Sequence, residues 1–82
     1  MEEYVKTIDI IFKQPHIKWV INLDNVVETK IINSKPFDAP ILIVTYKGYK
    51  NCDYFSFIHL EMAQELKQAI DERREYVILE EI

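Results

Sequence analysis

The stretch Tyr54-Phe55-Ser56-Phe57-Ile58-His59-Leu60-Glu61-Met62-Ala63-Gln64-Glu65-Leu66-Lys67-Gln68-Ala69-Ile70 decides the fold class, because the spacing of its apolar residues changes along it. Up to Ile58 the run is short, aromatic and β-favouring, as in a strand. From His59 onward, Met62, Ala63, Leu66, Ala69, Ile70 and Val77 gather on one side of a wheel of about 100° per residue. The opposite side carries Glu61, Glu65, Gln68, Glu72 and Glu75. The spacing predicts an amphipathic helix over about 59–76, its apolar stripe laid on a sheet.

Upstream, every segment reads as strand. Tyr4, Ile8, Ile10 and Phe12 share a parity within about 4–13, and Pro15 ends that run because it cannot donate to a ladder. Ile17, Trp19, Ile21 and Leu23 alternate with Lys18, Val20 and Asn22 over 17–23, which places Trp19 in the core. Leu23-Asp24-Asn25 has turn chemistry. A third strand is expected over 26–33, then a stiff loop containing Pro36 and Pro40. A fourth strand over 40–47 is apolar on both parities from Ile41 to Val44, the pattern of a strand covered on both faces. Lys47-Gly48-Tyr49-Lys50-Asn51 reads as a hairpin into a fifth strand over 52–58. The expected architecture is α+β: a five-stranded, curved antiparallel meander packed by one C-terminal helix, in a single domain over 1–82. The tail Val77-Ile78-Leu79-Glu80-Glu81-Ile82 can extend the helix or add a strand.

The pieces taken together resemble small prokaryotic and phage proteins with a curved antiparallel meander capped by one helix, similar to truncated pleckstrin-homology-like domains. The likeness rests on the order strand, Leu23-Asp24-Asn25-Val26, strand, loop, Ile41 to Gly48, Tyr54-Phe55-Ser56-Phe57, and Ala63-Gln64-Glu65-Leu66 in a closing helix. It covers most of the chain through pattern, without a diagnostic motif. It implies a binding scaffold and carries over no catalytic residue.

Composition narrows the functional classes. The 82 residues are 49% hydrophobic with a net charge of −4 and one cysteine, which describes a small packed domain without an internal disulfide framework. No signal-peptide pattern and no apolar run long enough for a membrane span is present, so a cytoplasmic, membrane-free protein is expected. Usage leaning to Ile, Lys, Asn and Tyr suits an AT-rich bacterial or phage genome. A phosphate-cradling loop needs several glycines, and Gly48 is alone. His16, Cys52, Asp53 and His59 show no metal-ligand spacing, and no cofactor motif is found. Cys52 and His59 near a strand-to-helix junction lack a nucleophile signature, so no enzyme is expected.

The charge map opposes direct nucleic-acid binding. Residues 1–58 hold seven lysines and seven acids, whereas residues 59–82 hold three basic and seven acidic residues. Lys47, Tyr49 and Lys50 make only a small basic tip, and phosphate tracking needs a wider basic surface. The acidic helix face of Glu61, Glu65, Gln68, Glu72 and Glu75 instead suits a protein partner with a basic surface. Surplus apolar area, including Leu42, Val44, Val77, Ile78 and Leu79, points to self-association. The expectation is thus a non-enzymatic protein interaction module, a homodimer or a subunit of a larger complex. A second expectation is a phage-type inhibitor of a host defence nuclease or other nucleic-acid-binding enzyme, acting through the acidic face.

Overall fold

The computed structural model describes residues 5–13, 16–34, 38–48 and 51–80. Among them the chain runs β1 (Thr7–Phe12), β2 (Ile17–Asn22), a 3₁₀ turn (Leu23–Asn25), β3 (Val26–Ser34), β4 (Ala39–Tyr46), β5 (Cys52–Ser56), α1 (Leu60–Asp71) and β6 (Tyr76–Leu79). The α+β class is as expected. The single five-stranded meander is not: the strands form two three-stranded sheets, β2-β1-β6 and β3-β4-β5.

The division begins at the 3₁₀ turn. The Asn22 side chain accepts a hydrogen bond from the Asp24 amide at 3.0 Å, capping the turn at which the chain leaves β2 for the other sheet. The Leu23 amide donates to the Lys6 carbonyl and so ends the first ladder, while the Lys47 amide donates to the Asn25 carbonyl and begins the second sheet. A register shift between Val26 and Glu28 leaves Val27 as a bulge in β3. The β4–β5 hairpin closes through Tyr46 N–H to the Asn51 carbonyl, and Gly48 takes the positive φ of 96° that this connection requires. Tyr4, Pro15, the Lys35–Phe37 part of the loop, the Tyr49–Lys50 tip and the tail end Glu81–Ile82 lie outside the described residues.

The helix is shorter than its predicted span and the tail is a strand. The apolar stripe runs Met62, Ala63, Leu66, Ala69 and Ile70, but three and four residues after Ile70 come Arg73 and Arg74, so a further turn has nothing to bury. Arg73 adopts φ +55°, its amide donates to Ile70 and the Arg74 amide donates to Ala69, the pattern of a Schellman closure. Released from the helix, residues 76–79 run parallel to β1 with Ile10 opposite Val77 and Phe12 opposite Leu79. Tyr76 is therefore strand and Glu75 precedes it in the connection.

Helix α1 packs on β3, β4 and β6. Its Ala63, Leu66, Ala69 and Ile70 join Ile8, Ile10, Ile21, Leu42, Val44, Phe55, Phe57, Val77 and Leu79 in one core shared by both sheets. On the β5 side the sheets meet directly: Phe12 stacks near Phe57 with ring centres 6.4 Å apart, and Trp19 meets Phe55 edge-on at 5.6 Å. Trp19 lies at this rim, 46% exposed, which corrects its expected place in the core. Its strand β2 is a sheet edge, and the helix that was to cover it lies over the other sheet and β6.

Candidate functional site

Strand alternation and register define two outer faces that neither the helix nor the opposite sheet covers. On the β2-β1-β6 sheet, Ile11 stands between Lys18 and Ile78, and Asp9 between Val20 and Tyr76. Val20, Tyr76 and Ile78 are 56%, 58% and 44% exposed. On the β3-β4-β5 sheet, Ile43 stands between Lys30 and Tyr54, and Ile41 between Ile32 and Ser56. Tyr54 is 67% exposed and Ile32 also reaches solvent. Such β-branched and aromatic clusters, framed by a few polar side chains, have the composition of interaction surfaces.

The residues expected to support self-association divide by parity. Leu42, Val44, Val77 and Leu79 are core residues, buried by the chain's own packing, and this corrects their placement on an association surface. Ile78 alone of the five faces outward. The sequence marked β-favouring apolar residues but not which parity the helix would cover. Tyr76, the exposed neighbour of Ile78, was missed because the helix was extended over it.

The acidic face is exposed at Glu61, Glu65, Gln68, Glu72 and Glu75, but only Glu61, Glu65 and Gln68 lie within α1. Glu72 occupies the helix C-cap, where Gln68 Nε2 donates to it at 2.7 Å and Arg74 donates through Nε and Nη2. These hydrogen bonds, Gln68 first and then Arg74, hold the Glu72 carboxyl below its ordinary range. The ridge is therefore partly neutralised at its C-terminal end. Glu75 belongs to the connection, where its carbonyl accepts from the Asp9 amide.

An open groove of about 550 Å³ runs along β6, lined by Glu65, Arg74, Glu75, Tyr76, Val77 and Ile78. Beyond the Arg73 turn, the Arg73 guanidinium donates to the Val5 carbonyl at 2.9 Å and to Asp24 at 2.7 Å. One side chain thus ties the helix end to the start of the first sheet and to the turn between the sheets. Elsewhere, the Tyr46 hydroxyl donates to Asp53 at 2.7 Å. Burial first, then the hydrogen bond and charge of Asp53, push the Tyr46 phenol well above its ordinary pKa. Cys52 and His59 are not brought together: Cys52 lies beside Thr45 at the start of β5, and His59 lies past its far end at the helix N-cap. Among the described residues, no group of three or more His, Cys, Asp or Glu is placed to hold a metal ion. No described helix is long and apolar enough to cross a membrane.

Comparison with known proteins finds no matching family model, curated relative or solved structure.

Proposed function

We propose that the chain is a non-enzymatic protein interaction module that binds through its sheets. The observation that carries this reading is the pair of uncovered outer faces, with Val20, Tyr76 and Ile78 on one and Ile32 and Tyr54 on the other. Hydration of such faces is unfavourable at about 25 cal/mol per Å² of apolar surface, and a docked partner removes that cost.

Photo-crosslinking in cells that naturally produce the chain tests the reading. A crosslinker at Tyr54 or Tyr76 should give discrete protein adducts, homomeric or heteromeric, whereas one at the exposed helix residue Gln64 should give few. Equal, diffuse labelling at all three positions contradicts a sheet-borne interaction module.

A second reading, an inhibitor that presents an acidic face to a basic groove, is favoured by Glu61 and Glu65. They stay exposed on successive turns, and no described cation pairs with either. Replacing both with lysine should abolish inhibition of a nucleic-acid enzyme if this face acts. Unchanged inhibition would remove the acidic face from the mechanism.

A further inference from the structure

The four sheet edges differ in how they are guarded against adding another strand. Edge strand β2 carries Lys18, β3 carries Glu28, Lys30 and the bulge at Val27, and β5 carries Asp53. Charges and bulges of this kind are how edge strands avoid unwanted pairing. Edge strand β6, Tyr76-Val77-Ile78-Leu79, has no charge, proline or bulge. It also borders the open groove.

The backbone of β6 is divided between its two sides. The Asp9 amide donates to the Glu75 carbonyl and the Lys13 amide to the Leu79 carbonyl, so the odd-numbered residues of this segment bond to β1. By strand alternation the N–H and C=O groups of Tyr76 and Ile78 point to the open edge. No described strand lies on that side.

We infer that this edge pairs with the β6 edge of a second copy of the chain, antiparallel about a twofold axis at Val77, joining the two β2-β1-β6 sheets into one continuous sheet. Charge fixes both the occupant and the register. Arg74 and Glu80 flank the strand on the same parity as Tyr76 and Ile78, one at each end. Setting Val77 opposite Val77 of the second copy puts Tyr76 opposite Ile78 and Arg74 opposite Glu80, and the twofold repeats each pairing. Shifting the register by two residues in either direction separates Arg74 from Glu80. An apolar strand with opposite charges at its ends is complementary to itself reversed, which is the requirement of an isologous interface. The outward backbone groups of Tyr76 and Ile78 exchange hydrogen bonds as strand addition does. Each aromatic side chain gains a β-branched neighbour across the strands.

In the monomer Arg74 bonds Glu72 at 2.9 Å and Glu80 lies 3.5 Å from Lys13, both pairs at the surface, so charge reversal at either leaves the core intact.

This inference rests on the reading of the chain as an interaction module and names its partner. The test is light scattering and sedimentation of the full chain from about 1 µM to 1 mM, a range suited to a short interface at the weak end of specific contacts. The wild type should approach twice the 9.8 kDa monomer mass. Arg74→Glu and Glu80→Arg should each weaken dimerisation about tenfold by opposing like charges, and the double variant should restore it. Circular dichroism should show all three variants folded. A wild type that stays monomeric up to 1 mM overturns the inference, as does a dimer that ignores the single reversals or is not restored by the double one. A monomer that still gives discrete heteromeric crosslinks at Tyr76 would sink self-pairing alone. The interaction-module reading falls only if those crosslinks are also missing.

Discussion

The two sheets contain equal numbers of strands but are assembled in opposite ways. The β3-β4-β5 sheet is a meander in which each strand pairs with its neighbour in sequence. The β2-β1-β6 sheet joins the first described strand to the last, with β1 parallel to a strand more than sixty residues later. A local meander pays little loop-closure entropy, whereas the parallel pair must close a loop of more than sixty residues. The sheet that depends on the rest of the fold also carries the unguarded edge. Its construction ties stability and the proposed association to the same short strand.

The most severe way to break this difference is to end the chain after Glu75. The β2-β1-β6 sheet then loses β6, and Ile10 and Phe12 lose Val77 and Leu79 as neighbours. Losing two buried aliphatic side chains costs several kcal/mol at about 2–5 kcal/mol each, comparable with the whole stability of a small domain. The truncated chain should lack a cooperative thermal transition by circular dichroism. A normal melt would show that the meander and helix stand alone.

Arg73 joins the two halves, and its variants separate backbone strain from side-chain anchoring. Arg73→Ala keeps a non-glycine residue at positive φ and loses the bonds to Val5 and Asp24, so a loss of about 1–2 kcal/mol is expected. Arg73→Gly loses the same bonds but removes the strain, and should melt closer to wild type. Equal melting of the two in chemical denaturation would mean that the left-handed conformation stores no strain.

Trp19→Ala probes the rim where the sheets meet. A fully buried tryptophan costs about 3–5 kcal/mol when truncated; Trp19 is half exposed and keeps mainly its edge contact with Phe55, so about 1–2 kcal/mol is expected. Loss of all folded structure would place it in the core after all.

The meander has its own weak point at Tyr46. Its phenol has a raised pKa in the folded state, so the neutral form is favoured there. The resulting stability is complete below the unfolded value of about 10 and is lost as pH rises through the folded value. Denaturant midpoints should therefore fall more steeply above pH 10 in the wild type than in Tyr46→Phe. At neutral pH that variant should lose about 1 kcal/mol, the usual net worth of one hydrogen bond. Parallel alkaline profiles would remove Tyr46 from the pH response.

How legible these features were follows from how far apart their causes lie. The strands, the hairpin at Gly48 and the start of the helix each depend on neighbouring residues, and their periodicity shows them. The helix end was also marked locally, since Arg73 and Arg74 interrupt the apolar stripe, but the later Val77 suggested that it continued. The parallel β1–β6 pair left no local trace, because its register is set by the helix and the core. The same reason governs the surface: Val77 and Leu79 against Tyr76 and Ile78 is a choice of parity, and only the packed helix makes it. The acidic face depends on helical spacing alone, and Glu61, Glu65 and Gln68 are exposed on α1.

Amide hydrogen exchange followed by NMR on the full chain, at a series of concentrations, measures the two edges of β6 separately. Val77 and Leu79 should stay protected at every concentration through their bonds to β1. Tyr76 and Ile78 should exchange fast when dilute and slow markedly as concentration rises, while the edges at β3 and β5 do not change. Concentration-dependent protection on β3 or β5, with none at Tyr76 and Ile78, would contradict the assignment of β6 as the associating edge.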